Sequence, residues 1–326
     1  MHATLDSQVL KDAVLLACRA PSVHNSQPWR WVAEGPVLRL FVDRYRTVPG
    51  TDDSGREAIM SCGAVLDHLR VAMRASGWHA EIKRLPSANE PDQLASIEFS
   101  PTDHVTDTQR DRAEAILRRR TDRLPLRWPT FWDSYEPVLR NMFDDGPVTL
   151  HVLADDARPL LVEASYLTEV VRRDDWSYHA ELDWWTSPFV VNEGIPPSAL
   201  ASDKEHYRVD VGREFPIRSH DDRRPEVTVD GSKILVLSTP DDSKADVLRC
   251  GEALSTVLLE CTMAGMATCT LTHLIEVDES RDVVRSLINE RGEPQVLIRV
   301  GLAPLIEGLP APTPRAPLDE VLQIRR

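Results

Sequence analysis

A chain of 326 residues, 42% of them hydrophobic, exceeds the usual size of one domain and can bury one core or two packed halves. Its formal net charge of −14 argues against a nucleic-acid partner, because phosphate backbones are bound by broad basic faces. Five cysteines with no C-x-x-C pair argue against a disulfide framework or zinc ribbon and fit a reduced, cytoplasmic setting. No apolar run reaches the roughly 18–20 residues of a membrane helix, and Asp6, Lys11 and Asp12 stand where a signal peptide has its apolar core. Neither membrane insertion nor export is expected.

Leu5, Val9, Ala13, Leu16 and Ala17 recur at helical spacing, which predicts an amphipathic helix over about Thr4 to Arg19. Trp29 to Val32 and Val37 to Val42 read as short strands around Gly35-Pro36. Asp53 or Ser54 can cap a second helix, with Ile59, Cys62, Leu66, Leu69 and Met73 on one apolar face and Gly77 at its end. His79 to Leu85 and Ala95 to Phe99 read as strands, and Asp107 to Arg120 as a charged helix. A strand at Val148 to Leu153, a helix over about Asp156 to Arg172, a strand at Lys233 to Thr239, a helix over Ser243 to Ala264 and a strand at Gln295 to Gly301 follow. Strands interleaved with longer helices predict a layered α/β or α+β fold.

Cys62-Gly63, Leu66 and Gly77 recur as Cys250-Gly251, Leu254 and Gly265 at a constant offset of 188 residues. Two buried helices can share Cys, Gly and Leu by composition alone. As a repeat, these would be the long central helices of two halves, packed as two subunits would be, with the glycines allowing close approach. The residues from about Trp176 to Gly231 have no counterpart in the first half, and Trp176, Tyr178, Trp184, Trp185, Phe189, Tyr207 and Phe215 make them too aromatic for a disordered linker. They read either as an extension covering an edge of the core or as a lid.

Four segments carry candidate chemistry. The turn Pro21-Ser22-Val23-His24-Asn25-Ser26-Gln27-Pro28-Trp29 is stiffened by its prolines and suited to presenting backbone amides. Arg118-Arg119-Arg120-Thr121-Asp122-Arg123 is the dense basic cluster of the chain; taken alone it is a solvated helix face or a site for a small phosphate, which Arg side chains bind bidentately. Gly265-Met266-Ala267-Thr268-Cys269-Thr270-Leu271-Thr272-His273 follows the second central helix, and Thr313-Pro314-Arg315 lies near the end. No H-E-x-x-H, G-x-S-x-G, Walker A or G-x-G-x-x-G sequence is present, and the ten histidines lack metal-ligand spacing, so no metal is expected. The cysteines read as small buried hydrophobes.

Together these segments resemble the flavin site of nitroreductase-type flavoproteins, and more narrowly the Acg type. The resemblance implies an α+β, nitroreductase-like fold of two fused halves mimicking the family homodimer, residues 1–110 and 111–326, with a lid-like insertion at about 176–231. It implies FMN as cofactor. Arg119, Arg120, Thr121 and Arg123 would hold its phosphate, with Arg315 returning to it; Pro21, Ser22, Val23 and Asn25 would touch the isoalloxazine. Thr270, Leu271, Thr272 and His273 would form the loop at the ring, the Thr272 N–H facing N5. The chain departs from the family pattern at Thr121 for Ser, Thr270 for Pro, Thr272 for Glu and His273 for Gly. No side chain, His24 included, is given a catalytic role, since the flavin itself carries the hydride.

The implied function is an NAD(P)H-dependent FMN oxidoreductase reducing nitro or quinone compounds, with NAD(P)H and a small aromatic acceptor as partners. The alternative is a non-catalytic protein that stores or senses FMN under a closed lid; a scaffold without flavin is the third reading. With the dimer internal, a monomer is expected. One FMN is expected, not two, because the opening helix lacks an R-R-S/T-x-R run and Leu124-Pro125-Leu126-Arg127-Trp128-Pro129 stands where a second P-S-x-x-N-x-Q-P-W turn would follow Arg123.

Overall fold

The computed structural model describes residues 5–144, 146–187, 189–190, 192–216, 222–289, 291–304 and 312–325. In chain order these form α1 (Ser7–Ala17), β1 (Trp29–Glu34), β2 (Val37–Val42), α2 (Arg56–Ala75), β3 (Trp78–Arg84), β4 (Gln93–Pro101), α3 (Asp107–Arg118) and α4 (Trp132–Asn141). Next come β5 (Thr149–Val152), α5 (Arg158–Arg172), α6 (Trp176–Trp185), α7 (Asp203–Arg208), β6 (Lys233–Thr239) and α8 (Lys244–Met263). The chain closes with β7 (Ala267–Leu271), α9 (Asp278–Leu287), β8 (Glu293–Gly301), α10 (Leu318–Val321) and β9 (Leu322–Arg325). The class is α+β, as expected. Two compact units divide it: Met1–Arg119 with Ser243–Leu259 and Pro314–Arg326, and Arg120–Asp242 with Glu260–Thr313.

The first unit holds a five-stranded sheet in the order β3-β4-β2-β1-β9, antiparallel except where β9 runs parallel to β1. Ala13, Val14 and Ala17 of α1, Trp29 and Trp31 of β1 and the apolar face of α2 share one core with Ala316, Val321 and Leu322. The stretch after Thr313 is therefore a built part of the unit. The predicted first helix is shorter than expected: Asp6 caps it by accepting from Gln8 N at 2.8 Å, and Thr4 lies outside the described residues. The cap of α2 also differs from expectation. Gly55, at φ +72°, occupies the N-cap, and its left-handed backbone turns the chain so that Asp52 reaches over the helix end to accept from Ala58 N at 2.8 Å, while Ser54 Oγ accepts from Arg56 N at 3.4 Å.

Helix α2 meets α8 with a reciprocity that follows the 188-residue offset. A methyl group built on Gly63 would overlap Leu248 O and lie 2.9 Å from Gly251 Cα, while one built on Gly251 would overlap Met60 O and lie 2.9 Å from Gly63 Cα. One turn on, Ser255 Oγ donates to Asp67 Oδ2 at 2.6 Å. Residues 60, 63 and 67 thus face 248, 251 and 255, the self-complementary pattern of a two-fold crossing. Both helices also run out into left-handed glycines, Gly77 at φ +84° and Gly265 at φ +77°.

The second unit holds a four-stranded antiparallel sheet in the order β5-β6-β8-β7. Ile234 and Val236 of β6, Cys269 and Leu271 of β7 and Leu297 of β8 pack with Leu161 and Ala164 of α5 and Val284 of α9. Strand β7 corrects one expectation: Thr270 and Leu271 belong to the sheet, paired with Ile298 and Leu297, so only Thr272 and His273 lie in the loop that follows. The small residues of Ala267–Leu271 hide a strand because sheet pairing, not local propensity, holds them extended. In the aromatic segment, Tyr178 and Trp185 are buried whereas Trp176, Trp184, Phe189 and Tyr207 are exposed; residues 217–221 of it lie outside the described set.

Candidate functional site

The turn after α1 stores backbone strain. His24, Asn25 and Gln27 all adopt left-handed φ, at +47°, +59° and +53°, a conformation that costs an L-residue about 1–2 kcal/mol. Such strain persists only where surroundings over-determine it. Here Ser61 Oγ accepts from Val23 N at 3.2 Å, Ser22 Oγ accepts from Gln27 N at 3.0 Å, and Asn25 Nδ2 donates to Pro314 O at 3.1 Å. Gln27 Oε1 in turn accepts from Ala316 N at 2.9 Å. His24 is buried rather than solvent-facing, its Nε2 3.0 Å from Thr51 Oγ1. The turn and the Pro314-Arg315 segment, some 290 residues apart in the chain, are thereby locked together.

Beside the turn, three guanidinium groups crowd one another. Arg315 Nε donates to Cys18 O at 2.8 Å, and its Nη2 donates to Arg19 O at 3.0 Å and Ala20 O at 3.2 Å. Arg119, the C-cap of α3, reaches Arg19 O with Nη2 at 3.4 Å, and its Nε is buried with no hydrogen-bond partner among the described residues. Burial and then the Arg19 charge push Arg119 down to about 10. Burial and then Arg119 and Arg19 push Arg315 down to about 9. Carbonyl oxygens hold the Arg119 and Arg315 side chains, and a carbonyl brings no counter-charge of its own. His68 of α2, fully buried, is pushed down to about 3 by burial and then by Arg119.

The second unit assembles the other predicted residues. Asp122 N donates to Thr268 O at 2.8 Å, and Thr121 bridges Thr268, which sets the end of the arginine run alongside β7. Arg123 lies over the Phe215 ring at 5.1 Å and donates to Ala199 O at 3.4 Å. Its proton affinity is lowered by burial. Beyond β7, Thr272 Oγ1 donates to Glu276 Oε1 at 2.9 Å and accepts from Arg213 Nη2 at 3.1 Å; Arg213 also pairs with Glu276 and donates to Tyr178 Oη at 3.0 Å. His273 is buried with Nε2 3.1 Å from Ser165 Oγ, and burial followed by the Arg213 charge pushes it down to about 3. Arg120 is exposed.

Of the predicted residues, Pro21, Ser22, Val23, Asn25, Arg119 and Arg315 fall in the first unit, and Arg120, Thr121, Arg123, Thr270, Leu271, Thr272 and His273 in the second. Sequence reasoning missed Arg19, His68 and Arg213. Arg19 directly precedes Ala20-Pro21, and that adjacency was the available signal; nothing local marks the other two. All five cysteines are buried, and burial raises every thiol, Cys18, Cys250 and Cys261 to about 12. They are inert packing groups. No group of His, Cys, Asp and Glu suited to a metal occurs among the described residues, and no helix there is long and apolar enough to cross a membrane.

No family profile matches the chain. An uncharacterised Mycobacterium tuberculosis protein is 66% identical over 322 residues, 98% of this chain and 94% of that one. A second protein of that organism, provisionally named NAD(P)H nitroreductase acg, is 56% identical over 319 residues, 98% of this chain and 96% of that one. Among solved structures, the FMN-dependent nitroreductase NfnB from Mycobacterium smegmatis, in complex with NADPH, aligns with 68% of this chain and all of its own at 17% identity and a TM-score of 0.42. The identity to acg, sustained over nearly the whole of both chains, decides the matter: this chain belongs to the Acg family of nitroreductase-like proteins.

Proposed function

We propose that the chain binds one FMN and acts as an NAD(P)H-linked oxidoreductase on nitro or quinone compounds. The observation that carries this reading is the crowding of Arg19, Arg119 and Arg315, where the Arg119 Nε is buried with no hydrogen-bond partner among the described residues and the group is pushed down by burial and then by the Arg19 charge. A phosphate monoester of charge about −1.5 to −2 supplies the missing counter-charge and acceptors. The names of the acg relative and of the M. smegmatis NfnB structure support FMN and NAD(P)H as the ligands.

In this reading Arg119 and Arg315 anchor the phosphate, with Arg19 adding charge, and the strained Pro21–Asn25 turn offers a rigid surface to the ring. Arg120, Thr121 and Arg123 contribute the remainder of the phosphate run, and Thr270, Leu271, Thr272 and His273 approach the ring, Thr272 by its N–H. Bound FMN supplies hydride acceptance and transfer. The chain orients it and shields it from water; neutral His273 and the Arg213–Glu276 pair hold the Thr272 position in place without giving or taking a proton. The chain works as a monomer.

A second reading, an FMN store under a closed lid, is favoured by Arg213, which ties Tyr178 of the aromatic segment to Thr272. One experiment tests both. Flavin released by denaturation per mole of reconstituted chain is expected near one, and a value near zero or two sinks the site as drawn. Anaerobic mixing with NADPH or NADH then bleaches the visible flavin band if the chain is a reductase; a band that only dithionite bleaches marks the store.

A further inference from the structure

His68 lies within α2, the helix that packs against α1 and α3, and its side chain has no exposed surface. Neither ring nitrogen completes a hydrogen bond among the described residues. Buried polar atoms left unpaired are rare and costly, so a ring kept in this state calls for a physical reason.

The groups that act on the ring come from every side. Arg119, at the end of α3, is the strongest of the charges, followed by Asp67 beside it on α2 and, more weakly, by Arg315 of the closing segment. The Ala17 backbone, at the end of α1, favours a charged ring but stops short of a full hydrogen bond. Asp67 is held ionised by Arg70 and Arg112 and accepts from Ser255 Oγ of α8 at 2.6 Å. Cys18, near Arg315, stays a neutral thiol. Two guanidinium groups therefore oppose a proton on the ring, while Asp67 and the Ala17 backbone favour one.

An anion paired with Arg119 and Arg315 reverses that balance. It cancels the field of both cations at the ring and adds a negative charge of its own, which leaves burial as the remaining cause against protonation. A neutral imidazole has one donor and one acceptor nitrogen, whereas the imidazolium has two donors, the form that acceptors such as a carbonyl and a phosphate satisfy. We propose that His68 is the proton site linked to this cluster: FMN loading takes up one proton from solution onto the His68 ring, and acid in turn strengthens loading. The proposal rests on the reading that Arg119 and Arg315 hold the FMN phosphate. Coupling of this kind is reciprocal, so whatever the anion does for the proton the proton does for the anion. Without ligand the ring is held down to about 3. Between that value and the higher one of the complex, the complex keeps a proton that the free protein refuses. FMN affinity accordingly rises as pH falls through that window and is flat above it.

Calorimetric titration of the flavin-free protein with FMN, in two buffers of unlike ionisation heat, counts the protons taken up. At about pH 6 the wild type is expected to take up more than His68→Gln, the difference approaching one proton per FMN, and at about pH 8.5 the two agree. The second ionisation of the phosphate itself, at about 6, enters both proteins alike and cancels. FMN affinity favours wild type over His68→Gln by about tenfold or more at the lower pH and by less than about threefold at the higher. Riboflavin, which lacks the phosphate, shows neither difference. In the wild type alone, the ring ¹⁵N shifts of His68 move to those of a charged imidazole on addition of FMN, a readout that decides the matter if His68→Gln does not fold. Equal proton uptake by the two proteins, or a ring that stays neutral with FMN bound, overturns the proposal; where Arg119→Gln still weakens FMN, the phosphate assignment survives that result. FMN and riboflavin binding alike, with Arg119→Gln without effect, overturns both.

Discussion

Arg299 and Arg119 are both nearly inaccessible cations, and their surroundings are opposite. Arg299 of β8 donates from Nη2 to Asp230 Oδ1 at 2.6 Å and to Leu124 O at 3.0 Å, and from Nε to Asp230 Oδ2 at 3.2 Å. Burial alone would lower its proton affinity, but the buried Asp230 carboxylate overcomes that and carries it above its ordinary value. Arg119 is as deeply placed but meets Arg19 where Arg299 meets a carboxylate, and it falls to about 10. A buried cation closed by its own carboxylate belongs to the architecture. A buried cation facing other cations is what an anion from solution would complete, and that is the role proposed for Arg119.

The largest effect should come from opening the closed pair. Asp230→Asn removes the charge that balances Arg299 and also contacts Arg158, while Asn preserves the shape and can still accept from Leu126 N. Stripping one partner from a buried ion pair typically costs about 3–5 kcal/mol. Urea unfolding should register that loss; a change below about 1 kcal/mol would mean that Arg299 is not balanced by Asp230 and that the contrast with Arg119 is false.

The converse holds at the open cluster. Arg119→Gln removes a repelling charge, so the flavin-free protein should unfold at an unchanged or higher urea concentration, while FMN affinity falls about ten- to hundredfold, or about 1.5–3 kcal/mol. Arg120→Ala, with its exposed side chain, is the control within the same run and should cost FMN less. Fluorescence titration giving equal losses for the two would place the phosphate outside the buried cluster.

What could be read in the sequence was what periodicity and spacing encode. The 188-residue offset already contained the crossing of α2 and α8, because Gly63 and Gly251 must lack side chains for Leu248 and Met60 to pass them. The Pro21–Trp29 turn and Arg119 were legible as motifs. Arg19 was not, since its role comes from a fold that returns Arg315 to it across almost the whole chain. Parallel pairing of β9 with β1 and the extension of Thr270 and Leu271 into β7 escaped for the same reason: both are long-range pairings of segments with weak local preference. Arg213 stood among aromatic and acidic residues that point nowhere until α6 and the Thr272 loop are both in place.

The smallest effect is also the one that reports the cluster from inside. His68 is fully buried, and burial and then Arg119 push it to about 3 from an ordinary 6.5, only partly opposed by Asp67. Between these values the unfolded chain binds a proton that the folded chain refuses, so folding loses stability as pH falls from about 6.5 towards 3, and above 6.5 the group contributes no pH dependence. The limiting slope for one such histidine is about 1.4 kcal/mol per pH unit. His273, held down to about 3 by burial and Arg213, adds a parallel loss in the same window, which leaves the difference between wild type and His68→Gln as the clean readout. Urea unfolding at stepped pH should show a shallower acid loss in His68→Gln. Saturating FMN should narrow that difference, because a bound phosphate offsets the Arg119 and Arg315 charges that help hold His68 neutral. If His68→Gln loses stability with acid as steeply as wild type, His68 is not the proton that folding refuses; if the difference persists unchanged with FMN bound, the phosphate does not lie at these arginines.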